Sequence, residues 1–533
     1  MKEISGEDRT AKPKRAALWY LVVLVGACVF YVVSCAPTIL WQDSALFVYR
    51  VWHNDIEGNL GLALAHPLYI MIGIVVKNIP IGQLAYRINL ISAVFGALTV
   101  ANLFLLVRLW LGKFLPALIA AITLAVSWTF WQQAVISETY TLYTALMLGE
   151  LLVLLQYTKT KQITYLYLLG LLNGLALANH LWAVFGFGCY GVFLVFLLVR
   201  KQIGLRHFGV IVLLWIIGAL PYEYIVVKNM LLSGDVRATM ASALFGVSWQ
   251  GRVLNSSVTI KMALENVIFV LLNFLTPNLV LFFVGIGVFR KMTPSRSFGN
   301  VVLVLLVLYF IFAFRYTVPD RYVFFVPFYC LAAALIGMGA DVFLGRFRRS
   351  WLVFLVVIFS LLPIGVYFVT PEIGRKIYKG LGQRRQRPYR DEYTYFLQPW
   401  KSGYRGAERF AEEALDIVEK DAIIYADTTV AHALLYVQEV MGRRSDVKIV
   451  SDYDMSDNAP VFNADSVGGI IRTSALYVVS PVKGYCPGFL LDGYDFSQVG
   501  VLWKVVEKDE SPVGFGLKKS VINGCCGEGS QSF

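Results

Sequence analysis

Charge is what this 533-residue chain has least of. Charged residues make up 15% of it and hydrophobic residues 57%, against about 25% charged in an ordinary soluble protein. A charged group in hydrocarbon is costly, so membrane-spanning segments leave it out. The deficit therefore excludes a soluble globular protein over most of the length. Metal-type CxxC pairs are also missing, although the chain has 7 cysteines, which excludes a small zinc module. Cys28, Cys35, Cys189 and Cys330 fall in or beside apolar runs, while Cys486, Cys525 and Cys526 fall in a polar region where the sequence leaves their pairing open. The outer face shows no evident cluster of several carboxylates, so neither a metal nor another cofactor is expected. Internal repeats and low-complexity stretches are absent. So is an Ala-x-Ala cleavage site after the basic-then-apolar start, which reads as an uncleaved first helix over Ala16 to Pro37.

What is present is a series of long apolar runs separated by small basic clusters. The net charge of +12 does not point to nucleic acid, because Lys and Arg sit between apolar runs rather than on one soluble face. Cytoplasmic loops rich in Lys and Arg explain the excess. Lys12, Lys14 and Arg15 place the N-terminus in the cytoplasm, and the first helix exits near Pro37. Residues 38–85 then form a first outer loop with Asp43, Arg50, His53, Asp55, Glu57 and His66. Its apolar stretch Pro67–Ile79 is too short to span. Further spans are expected at about 87–108, 114–133, 140–157, 163–179, 181–199, 208–227, 265–289, 299–315, 322–341 and 351–370. That makes about eleven helices. Each inferred inner loop carries a basic cluster: Arg108/Lys113, Lys159/Lys161, Arg200/Lys201/Arg206, Arg290/Lys291/Arg296 and Arg346/Arg348/Arg349. Had Pro67–Ile79 crossed, every later cluster would fall on the wrong side.

An odd number of spans exports the tail. The protein thus divides into a transmembrane domain over 1–370, a basic connecting segment over 371–405 and a soluble extracytoplasmic domain over 406–533. The connecting segment reads as a loop or surface helix, and its run Gln383-Arg384-Arg385-Gln386-Arg387 as a surface facing lipid headgroups. The tail alternates helical patterns at 408–419 and 429–439 with short apolar strands at 422–425, 447–450 and 475–479, the pattern of a small α/β domain. Asn255-Ser256-Ser257 matches a glycosylation sequon, a chance match unless the host modifies it.

The outer loops hold the residues able to do chemistry. They are Asp43 in Trp41-Gln42-Asp43-Ser44, Glu138 in Ser137-Glu138-Thr139-Tyr140, Asn179-His180, and Arg315, Asp320 and Arg321. A carboxylate at a membrane surface must be solvated or paired, and is a functional candidate by default. An acid able to deprotonate an acceptor, opposite cations able to hold a phosphate, is the minimal kit for sugar transfer from a lipid phosphate. Bland roles stand beside these: Asp43 as a helix cap, Arg87 as a snorkelling anchor, Arg321 paired with Asp320, and His66 and His180 as interfacial residues.

Several motifs recur in a familiar order. They are Asp43 after the first span, His66-Pro67-Leu68-Tyr69, the run Arg87 to Val100, Phe130-Trp131 with Ser137-Glu138-Thr139-Tyr140-Thr141-Leu142, Asn179-His180-Leu181, and Asp320-Arg321-Tyr322-Val323-Phe324-Phe325 with Pro327. Tyr436-Val437-Gln438-Glu439-Val440 and Gly442 follow in the tail. The set resembles the membrane glycosyltransferases of the C-type fold, most nearly a bacterial branch related to the plexin-type protein O-mannosyltransferases. The resemblance implies a polyprenyl-phosphate sugar as donor, an inverting mechanism and an acceptor hydroxyl on protein Ser/Thr, a glycan or a lipid. By position it implies Asp43 as base and Glu138 as the second acid. Substrate contacts would come from His66, Arg87, Asn179, His180, Asp320 and Arg321. It also implies a multi-pass protein of a bacterial inner membrane. The first motif departs from the family's Trp-Asp-Ser-Gly-Glu: here Gln42-Asp43-Ser44-Ala45-Leu46 lacks the Glu, and His66-Pro67-Leu68-Tyr69 lacks an extra Pro-Gly-Tyr. The competing classes are a lipid-linked-sugar transporter and a membrane-anchored binding protein. Transporters carry related halves and mid-membrane polar residues, which this sequence lacks.

Overall fold

A computed structural model describes residues 8–246, 249–318, 320–347, 349–377, 387–451, 462–483 and 485–508, the side chains of 8–15 excepted. Cys525 and Cys526 lie outside that description. The protein divides into two compact units. One comprises Met1–Thr38, Arg50–Thr317 and Arg321–Tyr404; the other comprises Ile39–Tyr49, Val318–Asp320 and Arg405–Phe533.

The first unit is a multi-helix membrane bundle. Among the described residues seven helices are long and apolar enough to cross: Ala16–Ser34, Leu84–Leu111, Tyr140–Thr160, Leu205–Ser233, Arg296–Arg315, Arg321–Phe347 and Ser350–Ile377. Pro67–Val76 has 10 residues, or about 15 Å of helix, half the hydrocarbon core. The expected fifth and sixth spans are the helices Thr164–Asn179 and Ala183–Val199, of 16 and 17 residues. They reach only about 24–26 Å, so length alone does not qualify them.

The expected third and eighth spans are each two helices. Phe114–Ala125 and Trp128–Gln133 meet at a 70° bend, with Ser127 Oγ donating to the Leu124 carbonyl at 2.8 Å. The run 265–289 divides into Ile260–Asn273 and Leu279–Met292. Pro277 has no amide hydrogen and disfavours a helical residue before it. A broken backbone away from water needs partners from its neighbours. Here Thr276 Oγ1 donates to Phe359 O at 2.5 Å, Asn278 Nδ2 to Val356 O at 2.8 Å and Tyr367 OH to Leu272 O at 3.0 Å. Apolar content reveals neither break.

The second unit contains a five-stranded sheet: β1 Ile423–Tyr425, β2 Lys448–Val450, β3 Leu476–Val478, β4 Tyr494–Val499 and β5 Leu502–Glu507, in the order β2-β1-β3-β5-β4. β1 runs parallel to β2 and β3, with Ile424 opposite Ile449 and Tyr477. β5 is antiparallel to β3 and β4. β1 and β3 are buried along their whole length, as continuous apolar runs predict. Val467, Cys486, Leu490 and Val505 complete that core. The β4–β5 hairpin turns at Gly500, with φ +54°, a conformation glycine adopts at little cost. Its first strand alternates exposed and half-buried residues, so no apolar run announces it.

Candidate active site

The segment carrying Asp43 belongs to the same unit as the C-terminal domain. Trp41, 2% exposed, packs against Phe410 with ring centres 5.7 Å apart. The Gln42 amide donates to Thr429 O at 3.0 Å, and the Gln42 carbonyl accepts from the amides of Ala45 and Leu46 at 3.0 and 3.1 Å. Gln42 thus takes the cap position, at the uncommon φ of +56°. Asp43 is the first residue of the helix Asp43–His53, where the positive helix end favours a carboxylate. Solvent reaches Asp43, yet enough protein surrounds it that desolvation raises its carboxyl above the ordinary carboxylate range. At the far end of this segment Tyr49 OH donates to Glu439 Oε1 at 3.2 Å, and its ring lies 5.5 Å from that of His432. Glu439 sits in a π-turn, Tyr436–Val440, a feature frequent at functional sites.

The membrane unit assembles a second group. The Ser92 hydroxyl clamps the backbone of Glu138, accepting from its amide and donating to its carbonyl, both at 3.0 Å. Tyr69 OH lies 3.3 Å from the same hydroxyl. One residue on, Asn179 Nδ2 donates to Thr139 O at 3.0 Å. His66 Nδ1 is 2.7 Å from Asn179 O, and a carbonyl only accepts, so that nitrogen carries the proton. His180 Nδ1 accepts from the Trp182 amide at 3.1 Å, which puts its proton on Nε2. The two imidazoles, opposite tautomers, stack with centres 5.1 Å apart and planes 29° apart. Tyr140, Tyr143 and Trp182 wall them in, with Trp182 4.1 Å from His180. Glu138, His66, Asn179 and His180 are thereby joined through four elements. His66 holds a left-handed conformation, φ +48° and ψ +46°, directly before Pro67. Its carbonyl accepts from the amides of Tyr69 and Ile70 at 3.1 and 3.3 Å, which fixes the strained residue in place.

The stretch 61–203, which contains this group, matches the family model described as the Protein O-mannosyl-transferase TMEM260 N-terminal domain. The mouse Protein O-mannosyl-transferase TMEM260 is 28% identical over 181 residues, covering 32% of this chain and 26% of that protein. The match thus spans about a quarter of the curated relative's length. Among solved structures, ArnT from Cupriavidus metallidurans bound to undecaprenyl phosphate superposes with a TM-score of 0.59 at 14% identity, over 91% of this chain and 97% of that one. The archaeal oligosaccharyltransferase AglB from Archaeoglobus fulgidus, with an inhibitory peptide and a dolichol-phosphate, gives 0.50 at 15% identity over 93% and 75%. This is the C-type glycosyltransferase fold.

Within this C-type bundle Arg87 and Arg321 are held by partners of their own. The Arg87 guanidinium donates to the carbonyls of Lys77 and Ile79, at 2.5 and 2.6 Å, just past the short helix Pro67–Val76. Carbonyls at a helix end need such donors. Arg321, 3% exposed, is ion-paired with Glu265, donates from Nε to Asn266 Oδ1 at 2.9 Å and faces the Phe269 ring. Asp320, like Asp43, belongs to the unit of the C-terminal domain. Among the described residues no group of three or more His, Cys, Asp or Glu is placed to hold a metal ion. Sequence reasoning missed Arg50, which is 3% exposed and binds the carbonyls of Asp55 and Ala65 at 3.2 and 2.7 Å, folding the outer loop. It also read 371–405 as a loop or surface helix, whereas Arg390, Glu392 and Lys401 are buried; of the Arg-rich run 383–387, residues 383–386 lie outside the described residues.

The imidazole pair gives a pH prediction. Burial, ahead of the nearby Arg50 charge and against the bond to Asn179, pushes His66 down to about 4; burial and the His66 charge push His180 further. An unfolded histidine protonates near pH 6.5. Between those values the unfolded state binds more protons, so stability is full above pH 6.5 and falls as pH drops toward 4. For His66 alone the loss is on the order of 3 kcal/mol. Thermal melting of the purified protein across pH 4–8 should show this decline, and His66→Gln should make it shallower, leaving the part due to His180. An equally steep decline in that variant would assign the effect elsewhere.

Proposed function

We propose that the protein is a membrane glycosyltransferase that moves a sugar, mannose in the first instance, from a polyprenyl-phosphate donor to an acceptor hydroxyl. Protein Ser or Thr is the favoured acceptor. The observation that carries this reading is the coincidence of a C-type fold along nearly the whole length with a family match covering the assembled Glu138–His66–Asn179–His180 group. A bound undecaprenyl phosphate in one fold relative and a dolichol-phosphate in another support a lipid phosphate as donor.

In the proposed reaction Asp43 takes the proton from the acceptor hydroxyl. The acceptor oxygen attacks the anomeric carbon opposite the phosphate, the carbon–phosphate-oxygen bond breaks and the lipid phosphate departs with the electron pair. Configuration inverts. Glu138 holds the acceptor or the sugar, no metal takes part, and the histidine pair supplies fixed neutral donors beside an aromatic wall. Packing of 39–49 within the unit of the C-terminal domain supports a part for that domain in presenting the acceptor. The topology follows the basic clusters: N-terminus cytoplasmic, C-terminal domain outside a bacterial inner membrane.

Purified protein in nanodiscs with polyprenyl-phosphate mannose and a Ser/Thr peptide should yield glycopeptide by mass spectrometry, at a rate that rises with donor. Movement of the donor across vesicle membranes without transfer to any hydroxyl would replace this reading with a transporter.

A further inference from the structure

Glu150 is an exception to spans that leave charge out. It lies near the middle of the helix Tyr140–Thr160, about 15 Å from the end that carries Tyr140. It is 2% exposed, and a carboxyl enclosed at that depth calls for a functional explanation. Asn173 Nδ2 donates to its Oε1 at 3.2 Å and the Tyr190 hydroxyl to its Oε2 at 3.0 Å. Asn173 also donates to Ala183 O at 3.3 Å and accepts at Oδ1 from the Trp215 indole at 3.0 Å. Gly186 leaves room for the group: a Cβ there would stand 3.0 Å from both Asn173 Nδ2 and the Tyr190 ring, and 3.3 Å from Glu150 Oε2. Asn173 and Tyr190 belong to the helices Thr164–Asn179 and Ala183–Val199. One carboxyl thus ties three helices together. The same three helices carry the histidine group. Thr139, His180 and Trp182 are their cap residues. Asn179 Nδ2 donates to Thr139 O, and the Trp182 amide to His180 Nδ1.

We propose that Glu150 is a positioning residue: it fixes the register of these three helices and so holds the Asn179–His180 turn against Thr139 and Trp182. A polar residue buried in a helix interface specifies register, the best-attested use of such groups. Hydrogen bonds between membrane helices add little stability, so the weight of this one falls on geometry. A displacement of about 1 Å, far from the reacting atoms, can lower a rate about a hundredfold. Both donors to Glu150 are neutral, so the carboxyl serves through its two acceptor oxygens and not through a cation. Its effect on rate rests on the glycosyl-transfer reading above; its hold on His180 does not.

Solid-state nitrogen NMR of the full-length, histidine-labelled protein in lipid bilayers reads the hold on His180 without any reaction, with His180→Gln assigning its signal. Wild type should show one fixed tautomer, protonated at Nε2. Glu150→Leu should show a signal averaged between tautomers. Glu150→Gln keeps an acceptor for Asn173 and can donate to the Tyr190 oxygen, so it should show the wild-type signal. In the mannosyl-transfer assay Glu150→Leu should lower kcat about tenfold or more at a melting temperature close to wild type, and Glu150→Gln less than about twofold. Tyr190→Phe removes one of the two bonds and should lower kcat about threefold; if Glu150→Leu does not fold, a wild-type His180 signal and rate in Tyr190→Phe overturn the proposal. It falls as well if Glu150→Leu matches wild type in both readouts, if Glu150→Gln loses both as the leucine variant does, or if kcat drops only in step with melting temperature. Wild-type protein that transfers no sugar, while Glu150→Leu still alters the His180 signal, overturns the glycosyl-transfer reading and leaves the positioning role standing.

Discussion

Asp43→Asn should reduce sugar transfer by about 10³-fold, within the 10²–10⁴ that a general base contributes, while leaving melting temperature and donor binding close to wild type. The expectation of an intact fold follows from the local bonding. The backbone of Gln42 makes the bonds that start the helix and fix it to Thr429, and these survive the substitution. Asn has the size of Asp and accepts hydrogen bonds, but it cannot take the acceptor proton. The pH profile adds a second readout. Because the carboxyl's pKa is raised by desolvation and a base must be ionised, wild-type rate should climb with pH through a value above about 3.9 and then level. In Asp43→Asn that limb should vanish. Activity within threefold of wild type would remove Asp43 from the role of base and leave its exposed, helix-starting position without a catalytic purpose.

How much of this was legible in the sequence depended on the range over which each signal acts. The long helices were, because a spanning segment must be apolar over about twenty residues. Pro67–Ile79 was legible as a piece too short to count among the long apolar helices. The breaks at Val126-Ser127 and at Pro277 were not, since composition averaged over a window barely registers a proline or a serine. The strands Ile423–Tyr425, Lys448–Val450 and Leu476–Val478 stood out as short apolar runs, and the half-exposed hairpin after them did not.

The site divides the same way. Motif order picked out His66, Glu138, Asn179 and His180, which the fold joins. It could not give the partner of Arg321, because Glu265 lies 56 positions away. Nor could it show that Arg390 and Lys401 are buried. Basic residues near a membrane are read as headgroup contacts by default, and only the tertiary structure reveals charges enclosed beside Tyr395. A well-packed apolar replacement of a buried charge would often cost less, so burial of these charges is not itself a source of stability.

Gly339→Ala should abolish accumulation of folded protein, although it adds one methyl group to a helix. Lipid is as apolar as leucine, so membrane helices gain contact by bringing backbones close together at small residues. At Gly339 an added Cβ would run into the Leu281 carbonyl, and at Gly285 into that of Leu335. The helices Leu279–Met292 and Val326–Phe347 thus touch at two points, each a glycine against backbone. A side-chain neighbour can rotate away from a new methyl group, whereas a carbonyl held in a helix cannot without moving the helix. The cost should reach about 3 kcal/mol or more, the upper range for overpacking. Gly287→Ala is the internal control: it lies in the same helix as Gly285, its Cβ would meet nothing within 4 Å, and alanine is the better helix former by about 1 kcal/mol. Detergent-extracted yield and melting temperature should therefore collapse in Gly339→Ala and Gly285→Ala and hold or rise in Gly287→Ala. Equal behaviour of the three would mean that the helices do not pack at this crossing. It would also question the support that Leu279–Met292, held to Val356 and Ser360 through Asn278, gives to the broken segment beside it.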